Sequence, residues 1–404
     1  MNKSSYTTQT SVGQPNVLSL IDFCKGLAVA WIFVFHYTST WFGWQGVHIF
    51  IVISGFGLTY SCLKKTDNIS WKQWFLRRAE RILPAYWLVS LCGFLIMVLF
   101  YCLKGQNLAA NVLKSAINVI LGLLLLQNFS YKTMFNPPPS DPLWFIPLII
   151  GCYLVFPWLY NLTVKHQTIK GYLLILLGVA AIEFIYRAIS IYWLDGYPIG
   201  FENPLLGNLS LQPLKPLNNL PDTFLVPFQL QAPFGFFPAR ITEFLLGMLG
   251  ASILIQNPQK FHNIFINYKM AIVGVLIWLA GYALVFMGFI QWIFADFFIA
   301  LGLVLWVVNL AWIFQQRLSF LFLKMSQLGS WSYYIFLTHS TFLFLSWEIE
   351  AHLVVDNNLL TIIKIALVGL IVIGTGVASW LIMKFDKSRF PKLIIQKSIA
   401  IFLQ

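Results

Sequence analysis

Eleven long apolar segments leave this chain few architectures: about residues 26–43, 46–63, 82–103, 111–129, 143–160, 171–194, 240–256, 270–289, 297–314, 331–347 and 361–383. Each approaches the ~20 residues that a helix needs to cross hydrocarbon, where a backbone must satisfy its own hydrogen bonds. Of the 404 residues, 59% are hydrophobic and 10% charged, against about 25% charged in soluble domains. The sequence predicts an all-α polytopic membrane protein with one membrane domain over 18–383, an N-terminal tail 1–17 and a basic tail 384–404. The first apolar run exceeds a signal-peptide core, so the N-terminus is expected to be retained. Cys24, Cys62, Cys92, Cys102 and Cys152 are scattered without CxxC spacing, which argues against structural zinc, a disulfide scaffold or any metal cofactor.

The net charge of +12 is informative through its distribution. Residues 64–81 carry Lys64, Lys65, Lys72, Arg77, Arg78 and Arg81 against Asp67 and Glu80, and the C-terminal tail is also basic, whereas 346–360 holds Glu348, Glu350 and Asp356 without Lys or Arg. Cationic loops stay in the cytoplasm, so both termini are expected there, and nothing favours a nucleic-acid partner. Two cytoplasmic ends require an even number of crossings. Segment 111–129, with Asn111, Lys114, Asn118, Gln127 and Asn128, is the polar one, giving about ten transmembrane helices plus one re-entrant or tilted segment. The connection 195–239, rich in proline, then becomes a large extracytoplasmic loop suited to a lid or acceptor platform.

Several polar residues stand where lipid should not tolerate them. His36 lies deep in the first segment, eleven residues after Lys25, so both share one helix face at roughly 16 Å of rise. Asp22 is placed to pair with Lys25. The second segment carries Gly46, Ser54, Gly55 and Gly57, small residues suited to close helix packing or to space for a thin substrate chain. His48 reads as an interfacial histidine near the outer surface. Arg77, Arg78 and Arg81 cluster on one face at the start of the third segment, with Pro84 in an early turn; such guanidinium forks match phosphates, and equally serve as positive-inside anchors paired with Glu80.

In order and spacing these segments resemble the membrane-bound acyltransferase-3 family, bacterial members of which O-acylate envelope polysaccharides from acyl-CoA. The resemblance is carried by Asp22, Lys25, Gly26 and His36; by Gly46, Val47, Phe50, Ser54, Gly55 and Phe56; by Arg78, Arg81, Ile82 and Pro84; and by Trp144, Tyr153 and Pro157. Arg240, Glu243, Phe244 and Gly247, then Gly329, Ser332, Tyr333 and His339, continue it. Lys25 stands where the family usually has arginine, and the apolar run 145–150 replaces a serine and glutamates found in many relatives.

The resemblance implies transfer of an acyl group, most often acetyl, from cytoplasmic acyl-CoA to a hydroxyl of an extracytoplasmic glycan or glycolipid, in the inner membrane of a bacterium and among its lipids. It implies His36 as general base; Lys25, Arg77, Arg78, Arg81, Ser54 and Gly55 on the donor; Trp144, Glu243 and His339 on the acceptor; and Asp22 and Gly46 in support. A glycolipid transporter or flippase would use the same buried histidine and cationic cluster for binding without chemistry, and a sensor would keep the fold without catalysis.

Overall fold

The computed structural model of the protein describes residues 17–38, 42–65, 68–105, 108–129, 131–134, 141–193, 232–287, 289–351 and 357–388. The N-terminal tail up to 16, most of the long loop (194–231) and the C-terminal tail from 389 lie outside the described residues.

The described chain is helical throughout: α1 (Val17–Thr38), α2 (Gly46–Leu63), α3 (Trp71–Lys104), α4 (Leu108–Leu123), α5 (Tyr131–Met134), α6 (Phe145–Lys165), α7 (Ile169–Tyr192), α8 (Ile241–Gln256), α9 (Pro258–Phe265), α10 (Tyr268–Met287), α11 (Phe289–Arg317), α12 (Ser319–Ala351) and α13 (Asn357–Lys387). Among the described residues, the helical stretches Val17–Thr38, Gly43–Leu63, Trp71–Lys104, Pro142–Lys165, Ile169–Tyr192, Tyr268–Met287, Ile290–Arg317 and Ile362–Lys387 are long and apolar enough to cross a membrane. α12, 33 residues long, turns Thr338, His339, Ser340 and Thr341 inward. Helices outrun the apolar segments because charged turns continue them. α3 begins at Trp71, so Pro84 is interior to it and not in an early turn.

α4, the polar segment, has 16 residues, about 24 Å of helix, and ends beside the middle of α3. Gly105, at φ 60°, ends α3 in the left-handed conformation that favours glycine. The chain then folds back along α3: Tyr86 Oη donates to Gly122 O at 2.7 Å and Trp87 Nε1 to Leu123 O at 3.1 Å, both near the middle of α3. The rest of the bundle requires this return. α1 packs parallel to α12, with Gly26 against Met325 and His36 against His339, and α2 packs parallel to α8, with His48 by Arg240 and Val52 by Gly247. Alternating crossings give those two parallel pairs only if α4 turns back.

Glycines set how closely these pairs approach. A Cβ on Gly329 would collide with the Asp22 carbonyl, and one on Gly247 with the Val52 carbonyl. The deepest core joins α2, α3, α6, α8 and α12 through Ile51, Tyr86, Cys152, Phe156, Phe244 and Leu337.

Candidate active site

Between α1, α2, α3, α6 and α12 lies a cavity of about 540 Å³, within the ~300–1,000 Å³ range of ligand sites. Its wall along α2 runs from Phe50 through Ser54 and Gly57 to Ser61, roughly 16 Å of helix. Lys25, Arg78 and Arg81 give it positive charge, Asp22 faces Lys25 at 3.0 Å, and Tyr153, Ser330, Ser332 and Tyr333 add hydroxyls. Arg78 is steered by the Trp74 ring, 5.6 Å from its guanidinium carbon, and its Nε has no hydrogen-bond partner. A cationic mouth leading into an apolar, hydroxyl-bearing tube suits a phosphate-bearing ligand with a long thin arm.

Three rings stand on the side of the cavity toward His339, whose ring lies 6.0 Å from that of Phe336. Phe50, Phe145 and Phe336 line the cavity and pack on one another with centroids 5.3–6.2 Å apart. One turn beyond Phe336 on α12 comes His339, its ring 5.1 Å from that of His36 in an edge-to-face arrangement. His36 is half-buried, with Nδ1 2.9 Å from Ile32 O. His339 is buried, with Nδ1 3.1 Å from Ile335 O and 2.9 Å from Phe336 O, and its Nε2 has no hydrogen-bond partner. The imidazole pair and the cationic cavity are thus successive compartments on the α1–α12 seam, with a layer of phenylalanine between them.

Of the residues expected on the donor, Lys25, Arg78, Arg81 and Ser54 line the cavity, and Asp22 joins them. Arg77 is exposed and does not line it. Gly55 turns toward α8, where a Cβ would meet the Phe244 carbonyl, so its smallness serves helix packing. Gly46 does the same against the Ala28 carbonyl of α1. Trp144 caps the start of α6 beside Phe145, and its carbonyl accepts from Asn128 Nδ2 at 2.9 Å.

Glu243 belongs to a buried ion cluster apart from the cavity. Arg240 Nη1 reaches Glu243 Oε1 at 3.0 Å and Asp296 Oδ2 at 2.7 Å, and Arg187 Nη1 reaches Asp296 Oδ2 at 2.6 Å. Glu183 Oε2 accepts from Thr242 N at 2.9 Å, which sets a buried carboxyl at the α8 N-terminus. His48, expected at the interface, is instead fully buried here, with Nδ1 3.0 Å from Glu243 Oε2. It faces inward because three carboxylates and two guanidiniums converge where α2 meets α7, α8 and α11. Glu183, Arg187 and Asp296 escaped the sequence reading; their signal was ionisable side chains inside apolar runs.

This arrangement, a helical bundle around a cationic cavity with a histidine pair beside it, defines an all-α multi-pass membrane protein. The chain belongs to the acyltransferase-3 family: the family model, described as an acyltransferase domain, matches residues 18–384. It is similar to the peptidoglycan O-acetyltransferase OatA of Listeria monocytogenes, 29% identical over 143 residues covering 34% of this chain and 23% of that protein. A putative O-acetyltransferase of Staphylococcus aureus strain COL is 26% identical over 171 residues, 38% of this chain and 27% of the relative. A putative peptidoglycan O-acetyltransferase of Bacillus subtilis, YrhL, is 25% identical over 143 residues, 34% of this chain and 23% of its own. The matched region spans about a quarter of the length of these curated relatives. No solved structure matches the chain.

Proposed function

We propose that the protein is an O-acyltransferase of the bacterial inner membrane, with both termini cytoplasmic, that moves an acetyl group from cytoplasmic acetyl-CoA to a hydroxyl of an extracytoplasmic glycan. The names of the relatives favour a peptidoglycan-like acceptor. The observation that carries the reading is the succession of a cationic cavity and a histidine pair along one helix seam.

Arg78, Arg81 and Lys25 hold the donor phosphates, the two arginines as forks and Lys25 as a point charge oriented by Asp22. The pantetheine arm follows α2 past Ser54 and Tyr153. Side-chain rotation in the Phe50–Phe145–Phe336 layer admits the thioester to the imidazoles. The acceptor oxygen then attacks the thioester carbonyl carbon, and its proton passes to His36 as the C–O bond forms. The C–S bond breaks, and the thiolate takes the proton from His36, leaving free CoA and the ester with no net proton change. Trp144 and His339 border the acceptor side, whereas Glu243 serves by anchoring α8 through its ion pair with Arg240.

Purified protein in nanodiscs, given radiolabelled acetyl-CoA and peptidoglycan fragments, is expected to produce an alkali-labile acetylated glycan. Failure to transfer, together with the absence of acetyl-CoA-dependent thermal stabilisation, would favour a transporter. In cells, deleting the gene is expected to remove an ester-labile acetyl mass from the envelope glycans.

A further inference from the structure

The two histidines are locked in one tautomer. A carbonyl oxygen can only accept, so the contacts to Ile32 O and to Ile335 O and Phe336 O place a hydrogen on each Nδ1. Each neutral ring therefore keeps its lone pair on Nε2. For His339 that lone pair is buried and unpartnered, an arrangement a protein interior rarely retains without use. The rings are also held in fixed register. Gly26 and Gly329, each ten residues before its histidine, let α1 and α12 touch backbone to backbone.

We propose that His339 is a positioning residue for His36: the pair binds a single proton, carried by His36, and neutral His339 stabilises the imidazolium beside it. Two imidazolium rings 5.1 Å apart would repel. Among the described residues, the charged groups of the helices packed around His36 are committed away from it. Asp22 and Lys25 pair at the far end of α1. His48 of α2 and Asp296 of α11 belong to the ion cluster. On α12, Glu348 pairs with Lys104 and Glu350 with Lys364, Lys324 lies over the Phe320 ring, and Tyr333 and Tyr334 donate to Ile82 O and Asp386. Arg317 ends α11 at its terminal turn. The consequence for catalysis rests on the acyl-transfer reading. The coupling between the rings does not.

The test compares the full chain in nanodiscs with His339→Leu, which keeps volume and removes both nitrogens, and His339→Gln, which returns an acceptor. Diethylpyrocarbonate modifies neutral imidazole, so mass spectrometry of His36 modification against pH, without donor, reads its proton occupancy directly. In His339→Leu the midpoint is expected to fall by about one pH unit and transfer to drop at least ~10-fold, with KM for acetyl-CoA unchanged. His339→Gln is expected to recover part of both. A midpoint unmoved in His339→Leu, or equal losses in both variants that track thermal unfolding, would overturn the proposal and make His339 a packing residue. Absence of transfer in the wild-type protein would sink the acyl-transfer reading alone, because the modification midpoints still decide the coupling.

Discussion

Gly329 of α12 lies against the backbone of Asp22 and Gly26 of α1, so that two parallel helices meet where neither has a side chain to separate them. That contact lies at the cavity's Asp22–Lys25 pair, and from Gly26 and Gly329 each helix runs ten residues on to its imidazole. One glycine pair therefore sets the spacing of the cationic compartment and the register of the histidines. Gly329→Ala would drive a methyl into the Asp22 carbonyl, and overpacking of this kind costs about 1–3 kcal/mol. It is expected to lower the unfolding temperature in detergent and to reduce transfer more than the stability loss alone explains. Wild-type activity with unchanged stability would show that the helices can part freely.

The three arginines of the third helix are not equivalent. Arg78 and Arg81 line the cavity and Arg77 does not. Arg78→Ala is expected to weaken acetyl-CoA binding by about tenfold or more, the loss of a charge-assisted contact of ~1.5–3 kcal/mol. Arg78→Lys should restore only part of it, because the fork is lost. Arg77→Ala should bind within about twofold of wild type. Isothermal titration of the purified variants with acetyl-CoA provides the comparison.

The phenylalanine layer predicts a loss of coupling. Replacing Phe145 by Ala opens a gap between the cavity and the histidine pair, so thioester hydrolysis without any acceptor should rise while acetyl-CoA affinity holds. Released CoA thiol, followed with a chromogenic disulfide, reports this. Unchanged background hydrolysis would argue that the donor reaches His36 by another route.

Asp296 bridges two guanidiniums while buried completely. Asp296→Ala leaves both without their central counter-ion, and breaking such a pair on one side costs about 3–5 kcal/mol. Folded yield and unfolding temperature should fall sharply. Replacing Arg187 and Asp296 together by methionine should be less damaging than losing either one. Glu243→Gln should likewise act on stability and leave KM for the glycan unchanged, since Glu243 is buried in this cluster.

Much of this was legible in the order of the residues, for reasons that differ by element. Each predicted apolar segment corresponds to a helix, because hydrocarbon leaves a backbone little else to do. Asn118, Gln127 and Asn128 marked segment 111–129 as the polar one, and all three end up buried against protein. His36, Arg78 and Arg81 stood out as ionisable groups at membrane depth or at a helix start. The partnership of His36 with His339 was not readable, since 303 residues separate them and only the parallel packing of α1 on α12 joins them. Gly55 was read for chemistry from motif membership and Arg77 from its place in the guanidinium cluster, although neither signal reveals which neighbour each helix face will meet. The ion cluster was hidden for a related reason: Glu183, Arg187 and Asp296 become a set only once α7, α8 and α11 converge.

The central claim is that His36 performs chemistry on a donor held by other residues, and His36→Ala separates the two roles. In nanodiscs with labelled acetyl-CoA and peptidoglycan fragments, this variant is expected to keep wild-type thermal stabilisation by acetyl-CoA while transfer falls at least ~100-fold. Transfer at the wild-type rate by a folded His36→Ala protein would contradict the account.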